Sequence, residues 1–127
     1  MASPAATILL VDDDVDLRDS IADLLAIRKL GQCLGVGSLA EAQAQADQIL
    51  HCALAVLDIN LGPGPSGVDV YRWLVGAGFR GQIVFLTGYG ADDPRVQEAH
   101  RLGLQILTKP ISTDHLYALV AGHHRPA

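Results

Sequence analysis

The sequence predicts an α/β fold, a doubly wound (βα)5 arrangement around a five-stranded parallel sheet. Five short apolar runs alternate with longer, partly polar stretches of 3.6-residue period, the pattern of repeated βαβ units. Several of the runs are apolar on both faces, as strands covered by helices on both sides are. Capping residues open most of the intervening stretches. At 127 residues, half of them hydrophobic and 18% charged, the chain is long enough for one packed core and too short for two, so residues 1–127 read as a single domain with its core over about 7–120.

The first strand is expected over Thr7 to Val11, followed by a helix that Asp14 caps, running to about Lys29 with Gly31 as its stop. A second strand spans Gln32 to Val36. Ser38-Leu-Ala-Glu41 is a capping box, in which Ser38 and Glu41 can each satisfy an orphan backbone donor, and it opens an Ala- and Gln-rich helix to about Leu50. The third strand, Ala53 to Leu57, delivers Asp58 into a Gly-Pro loop, and a third helix follows from about Gly67 to Val75. The fourth strand, Gln82 to Leu86, leads to Asp93-Pro94, a capping carboxylate before a proline at the first helical position. That helix runs to about Leu102 and stops at Gly103. The fifth strand covers Leu104 to Leu107, and Ser112 or Thr113 caps the last helix. Right-handed crossovers between such strands give an open sheet whose ligand site lies at the carboxyl ends, where the strand order reverses.

Charge and composition exclude several functions. Twelve Asp and two Glu against nine Lys plus Arg give a formal net charge of -5, which argues against direct nucleic-acid binding. No apolar run approaches the roughly 20 residues that span a bilayer, and the opening Met-Ala-Ser-Pro-Ala-Ala lacks the basic flank and apolar core of a signal peptide, so a cytoplasmic location is expected. Cys33 and Cys52 have neither CxxC spacing nor histidines at zinc spacing, and are read as reduced, packed thiols.

The strand ends carry the chemistry. Strand one delivers Asp12, Asp13 and Asp14; strand three Asp58; strand four Thr87; strand five Lys109 followed by Pro110. Taken singly each has an ordinary explanation: acids complement a helix dipole, a threonine closes a turn, a lysine lies on the surface. Asp14 is such a cap. Together they do not disperse so easily. Asp12, Asp13 and Asp58 crowd one pocket if strands one and three are neighbours, and like charges about 4 Å apart repel by roughly 4 kcal/mol at an effective dielectric near 20. A hard divalent cation relieves that repulsion, and Mg²⁺ suits one or two carboxylates plus phosphate oxygen. Lys109, one of two lysines, adds a point charge able to reach Asp58 or a phosphate on it, and Thr87 adds a hydroxyl donor. Nucleophile, metal, cation and donor are the parts that phosphoryl transfer needs.

With Ile8-Leu-Leu-Val-Asp-Asp-Asp14, Val56-Leu-Asp-Ile-Asn60, Phe85-Leu-Thr-Gly88 and Thr108-Lys-Pro110 in this order, the chain resembles the receiver domain of bacterial two-component response regulators from about Thr7 to Val120. The resemblance implies a flavodoxin-like sheet of order 2-1-3-4-5. It implies that Asp58 is the phosphoacceptor, taking a phosphoryl group from a phosphohistidine on a sensor histidine kinase or histidine phosphotransfer protein. Asp13 and Asp58 would ligate Mg²⁺, with the Asn60 carbonyl as a third protein ligand and Asp12 acting largely through water. Lys109 would pair with Asp58 and then with the phosphoryl group, Thr87 would hydrogen-bond it, and the Lys109-Pro110 bond would be cis, which proline permits. A downstream protein target would read the change, and a homodimer would form through the fourth helix, fifth strand and fifth helix, where this chain has Arg95, Arg101, His115 and Tyr117. The chain would modify its own aspartate rather than turn over small substrates.

Two departures stand out. Ile106 occupies the place where receivers often carry a switching aromatic, and Tyr89, two residues past Thr87, is a candidate to overhang the site. Gly67 follows Asp58 by nine residues rather than eight, and Gly62-Pro-Gly-Pro65 carries two prolines, so one residue is inserted at the rim, where surface loops tolerate it. Two other functions compete with this one. A phosphatase or phosphotransferase of the haloacid dehalogenase type needs Asp-x-Asp after the first strand and room for a substrate domain, which this chain lacks. A degenerate receiver that binds partners without phosphorylation stays the alternative; its usual mark is the loss of one of Asp12, Asp13, Asp58, Thr87 and Lys109, and all five are present.

Overall fold

The computed structural model describes residues 7–88, 90 and 92–121. Its strands are β1 (Thr7–Val11), β2 (Gln32–Val36), β3 (Leu54–Asp58), β4 (Gln82–Thr87) and β5 (Ile106–Thr108). Its helices are α1 (Val15–Ile27), α2 (Leu39–Ala44), α3 (Ala46–Ile49), α4 (Gly67–Gly76), α5 (Pro94–Arg101) and α6 (Thr113–Ala121). The strands form one sheet of order β2-β1-β3-β4-β5, parallel throughout, as the sequence predicts.

Period-two alternation along the central strands sends successive side chains into two apolar layers. Leu9 and Val11 of β1, Ala55 and Leu57 of β3, and Ile83 and Phe85 of β4 face the layer completed by α2 to α5. Ile8 and Leu10, Leu54 and Val56, and Val84 and Leu86 face the other, completed by Ile21 and Leu25 of α1 and Leu116 and Val120 of α6. With both faces buried, the chain's chemistry is left to the strand ends. The order reverses beside β1, so the carboxyl ends of β1 and β3 open side by side.

Four local expectations need correction. α1 ends at Ile27, not Lys29, and Lys29 rather than Gly31 takes the left-handed conformation, at φ 54. The Lys29 N–H bonds to Ala26 O at 3.2 Å and the Leu30 N–H to Leu25 O at 2.9 Å, the paired closure of a Schellman motif, with Leu30 tucked against the core beneath it. The helix expected from Ser38 to Leu50 is interrupted at Gln45 (φ -117, ψ 27), whose carbonyl restarts the next turn by accepting the Gln48 and Ile49 N–H groups. β5 begins at Ile106, not Leu104, because only Ile106–Thr108 lie in register with Phe85–Thr87, while Gly103 at φ 75 turns the chain and Leu104 packs from the loop. In the capping box of α2 Ser38 Oγ accepts the Glu41 N–H at 3.2 Å, but the Glu41 carboxylate reaches the N–H of Gly37, not of Ser38.

The loop from Ile59 to Ser66 closes on itself. Ile59 and Leu61 are buried, Gly62 to Pro65 are exposed, and the Gly67 N–H returns to Ile59 O at 2.9 Å. A Cβ on Gly67 would sit 2.1 Å from the Asp58 carbonyl oxygen, so only glycine allows the helix to start against that strand end. Ser66 and Asp69 form a reciprocal capping box there.

Candidate functional site

Asp12 follows the last residue of β1, Asp58 closes β3, Thr87 closes β4, and Lys109 follows β5. All four come together at the carboxyl edge. Asp12, Asp58 and Thr87 are buried, whereas Asp13 is exposed at the mouth. A cleft of about 290 Å³ is lined by Asp13, Asp14, Asp58, Asn60, Gly62, Gly88 and Lys109.

The two buried carboxylates are held from several sides. Asp58 Oδ2 accepts the Lys109 ammonium at 3.0 Å, and Asp58 Oδ1 accepts the Asn60 N–H at 3.1 Å. Asp12 Oδ1 accepts the Asp14 N–H at 2.9 Å, leaving Oδ2 facing Lys109 Nζ at 2.9 Å. That ion pair is close, yet no donor is aligned with Asp12 Oδ2, which keeps lone-pair capacity for a cation. The Lys109 contact with Asp58 is the one expected from the sequence; the bridge to Asp12 is additional. Asp14 caps α1, its carboxylate accepting the Leu17 N–H at 3.2 Å.

Burial is the largest influence on Asp58 and pushes its carboxyl from 3.8 up to about 6; the Lys109 hydrogen bond opposes this and the Asp12 charge adds to it. For Lys109 burial works against the ammonium, but the hydrogen bond to Asp58 and the close negative charges of Asp12 and Asp58 outweigh it and raise its pKa. The site is thus a compressed anionic pair clamped by one cation. Oxygens of Asp12, Asp13 and Asp58 lie within 4.8 Å of one another, an all-oxygen donor set, and with the open lone pair on Asp12 they fit a hard divalent ion.

The remaining expected positions divide. The Lys109-Pro110 peptide is cis, and the Lys109 N–H donates to Thr87 O at 2.8 Å. Ile106 is half-buried beside Phe85 and packs on the core. Asn60 lines the cleft and its buried Nδ2 has no hydrogen-bond partner. Tyr89 lies outside the described residues. Gly62, at φ 82, lines the cleft on the Asp13 side; sequence reasoning had the loop but no signal for that approach. Cys33 and Cys52 are free thiols whose pKa burial pushes up to about 11, so they stay protonated and packed.

A five-stranded parallel sheet of order 2-1-3-4-5 with an Asp-Asp-Asp-Lys cluster at its switch point defines a class, and the chain belongs to it: residues 8–121 match the response regulator receiver domain family. It is therefore a receiver domain of two-component signalling. It is 34% identical to Nodulation protein W of Bradyrhizobium diazoefficiens over 98% of this chain and 54% of that protein. To the transcriptional regulatory protein FixJ of the same organism it is 32% identical, over 94% of this chain and 57% of that one. The BeF3-activated N-terminal receiver domain of Klebsiella pneumoniae RstA superposes with a TM-score of 0.76 at 26% identity, covering 94% of this chain and 99% of that one. The chain spans about half the length of the curated relatives it matches. Receiver domains bind Mg²⁺ at an acidic cluster, work with histidine kinases and downstream effector domains, and are not generally enzymes of small-molecule turnover. Among the described residues no helix is long and apolar enough to cross a membrane.

Proposed function

We propose that Asp58 is the phosphoacceptor of this receiver. The observation that carries the reading is a buried carboxylate at a strand mouth, fixed by Lys109 on one oxygen and the Asn60 N–H on the other, and opening into the cleft. One Asp58 oxygen attacks phosphorus, the bond from phosphorus to a phosphohistidine nitrogen breaks, and its electron pair stays on the imidazole of a sensor histidine kinase or phosphotransfer protein. The Lys109 ammonium, already 3.0 Å from Asp58, follows the charge onto the phosphoryl oxygens, and the Thr87 hydroxyl donates to them. Asp13, Asp58 and the Asn60 carbonyl would hold Mg²⁺, with Asp12 acting through water; when bound, the ion neutralises charge on the transferring group.

The described residues act as one receiver unit with its core over about 7–120, in the cytoplasm. The chain modifies itself and does not turn over small substrates. Its output is a changed contact with a downstream protein target, without direct DNA binding, and without a rotating aromatic at Ile106. Pairing of two copies through α5, β5 and α6 would use Arg101, His115 and Tyr117, all exposed, and Arg95, which is half-buried and tied to Asp93.

The test is intact mass after incubation with Mg²⁺ and a small acyl-phosphate donor. Wild type should gain one phosphoryl group labile to acid or base; Asp58→Asn and an EDTA-treated sample should not. An unmodified wild-type mass would refute the assignment.

A further inference from the structure

We propose that Glu41, supported by Arg18, is a positioning residue for Asp12, acting through a single peptide group at the end of β2. The proposal rests on the metal-site reading above. The Asp12 N–H donates to Val36 O at 3.0 Å, and the N–H of the same peptide, on Gly37, donates to Glu41 Oε2 at 2.6 Å. A peptide unit is planar, so holding its N–H fixes the direction of its C=O. A carboxylate on the N–H also polarises that C=O into a better acceptor, as charge-assisted bonds do along a chain. The path therefore runs from the Glu41 carboxylate through one rigid plane to the backbone of Asp12, whose Oδ1 is tied to the Asp14 N–H and whose Oδ2 faces Lys109 and the metal-binding oxygens.

Arg18 completes the brace from the opposite element. Its side chain, mostly buried, crosses from α1 over two glycines of the β2 end, and Nη1 lies 3.8 Å from Glu41 Oε2. A Cβ on Gly35 would stand 3.2 Å from Arg18 Cδ, and one on Gly37 would stand 3.5 Å from both Arg18 Nη1 and Glu41 Oε2. A methyl on Gly35 would push the Arg18 stem aside by a few tenths of an ångström, whereas one on Gly37 would make only ordinary contact. Glu41 itself is more than half exposed, so its influence is moderate.

Mg²⁺ affinity by calorimetry, and exchange of the Asp12 amide in metal-free protein, test this. Glu41→Ala should weaken Mg²⁺ binding about threefold to fivefold, less than the roughly tenfold or more lost with a ligand's own partner, because Glu41 acts one peptide removed. The Asp12 amide should exchange faster. Glu41→Gln keeps an acceptor oxygen and loses the charge, so it should fall between, and it carries the test if Glu41→Ala fails to fold. Gln43→Ala, at an exposed position of the same helix, touches neither the Gly37 bond nor the Ser38 cap and should leave both readouts unchanged. Equal Mg²⁺ affinity and equal Asp12 exchange across wild type, Glu41→Ala and Glu41→Gln would overturn the proposal. Absence of Mg²⁺ binding by wild type would instead refute the metal site, and the metal-free exchange would still decide the role of Glu41.

Discussion

Two ion-paired clusters in this molecule have contacts of nearly the same length and opposite weight. Arg72 of α4 meets Glu98 of α5 at 2.6 Å on the surface, with side chains 54% and 35% exposed. Lys109 meets Asp12 and Asp58 at 2.9 and 3.0 Å, with those carboxylates 0% and 4% exposed. Distance does not separate them; water does. The exposed pair exchanges one solvation for another, while the buried carboxylates have lost theirs and depend on the ammonium. A short contact in the first case pins two helices lightly, and in the second sets protonation and readiness for a cation.

The sharpest way to break this contrast is Lys109→Met, which keeps the aliphatic stem and leaves two buried carboxylates facing each other. Without divalent ions it should lose about 3 kcal/mol, the low end for a broken buried pair because the ammonium keeps some contact with water. Urea unfolding measures this, and Mg²⁺ should restore part of the loss.

A smaller effect concerns pH. The Asp58 carboxyl titrates near 6 in the folded, metal-free chain against an ordinary 3.8, so the native state holds that proton more tightly than the unfolded one. Stability should therefore be highest below pH 4 as far as this group is concerned, fall as pH rises from about 4 to about 6, and level off above. The amplitude is about 2–3 kcal/mol, with the opposing pull of Lys109 already contained in it. In Asp58→Asn that slope should vanish, which paired urea titrations across the window would reveal; an unchanged slope would assign it elsewhere.

The smallest effect belongs to the surface pair. Arg72→Ala should leave phosphorylation of Asp58 intact and shift the urea midpoint only slightly, with the shift shrinking further in high salt. A large, salt-insensitive loss would show that α5 relies on α4 more than its exposure implies.

The sequence made the buried half of this comparison legible and left the other half unreadable. Asp12, Asp58 and Lys109 could be placed because apolar runs end on them, and a strand end fixes position in a parallel sheet. The Lys109 bridge to Asp12 could not, since a side chain's choice between two carboxylates depends on tenths of an ångström. Arg72 and Glu98 lie on different helices with no shared pattern. The interruption at Gln45 has no signature in the sequence, because Ala and Gln are both strong helix formers and nothing in that stretch marks a break. The Ser66 to Asp69 box has a weaker signature, Ser-x-x-Asp rather than Ser-x-x-Glu, and a glycine at the first helical position obscures it. The residue type of Glu41 marks it as a capping partner, yet which N–H it takes depends on how the preceding turn folds.

The self-closed loop between Ile59 and Gly67 has a practical meaning. Because the Gly67 N–H is tied to Ile59 O, the four exposed residues Gly62 to Pro65 hang from a ring whose neck does not depend on their number. Lengthening such a tip costs only about 0.6 kcal/mol per doubling. A guest peptide spliced between Pro63 and Gly64 would therefore sit beside the acidic cleft while the Asp58 backbone stayed where it is, making this turn a natural graft point for a reporter or a tether.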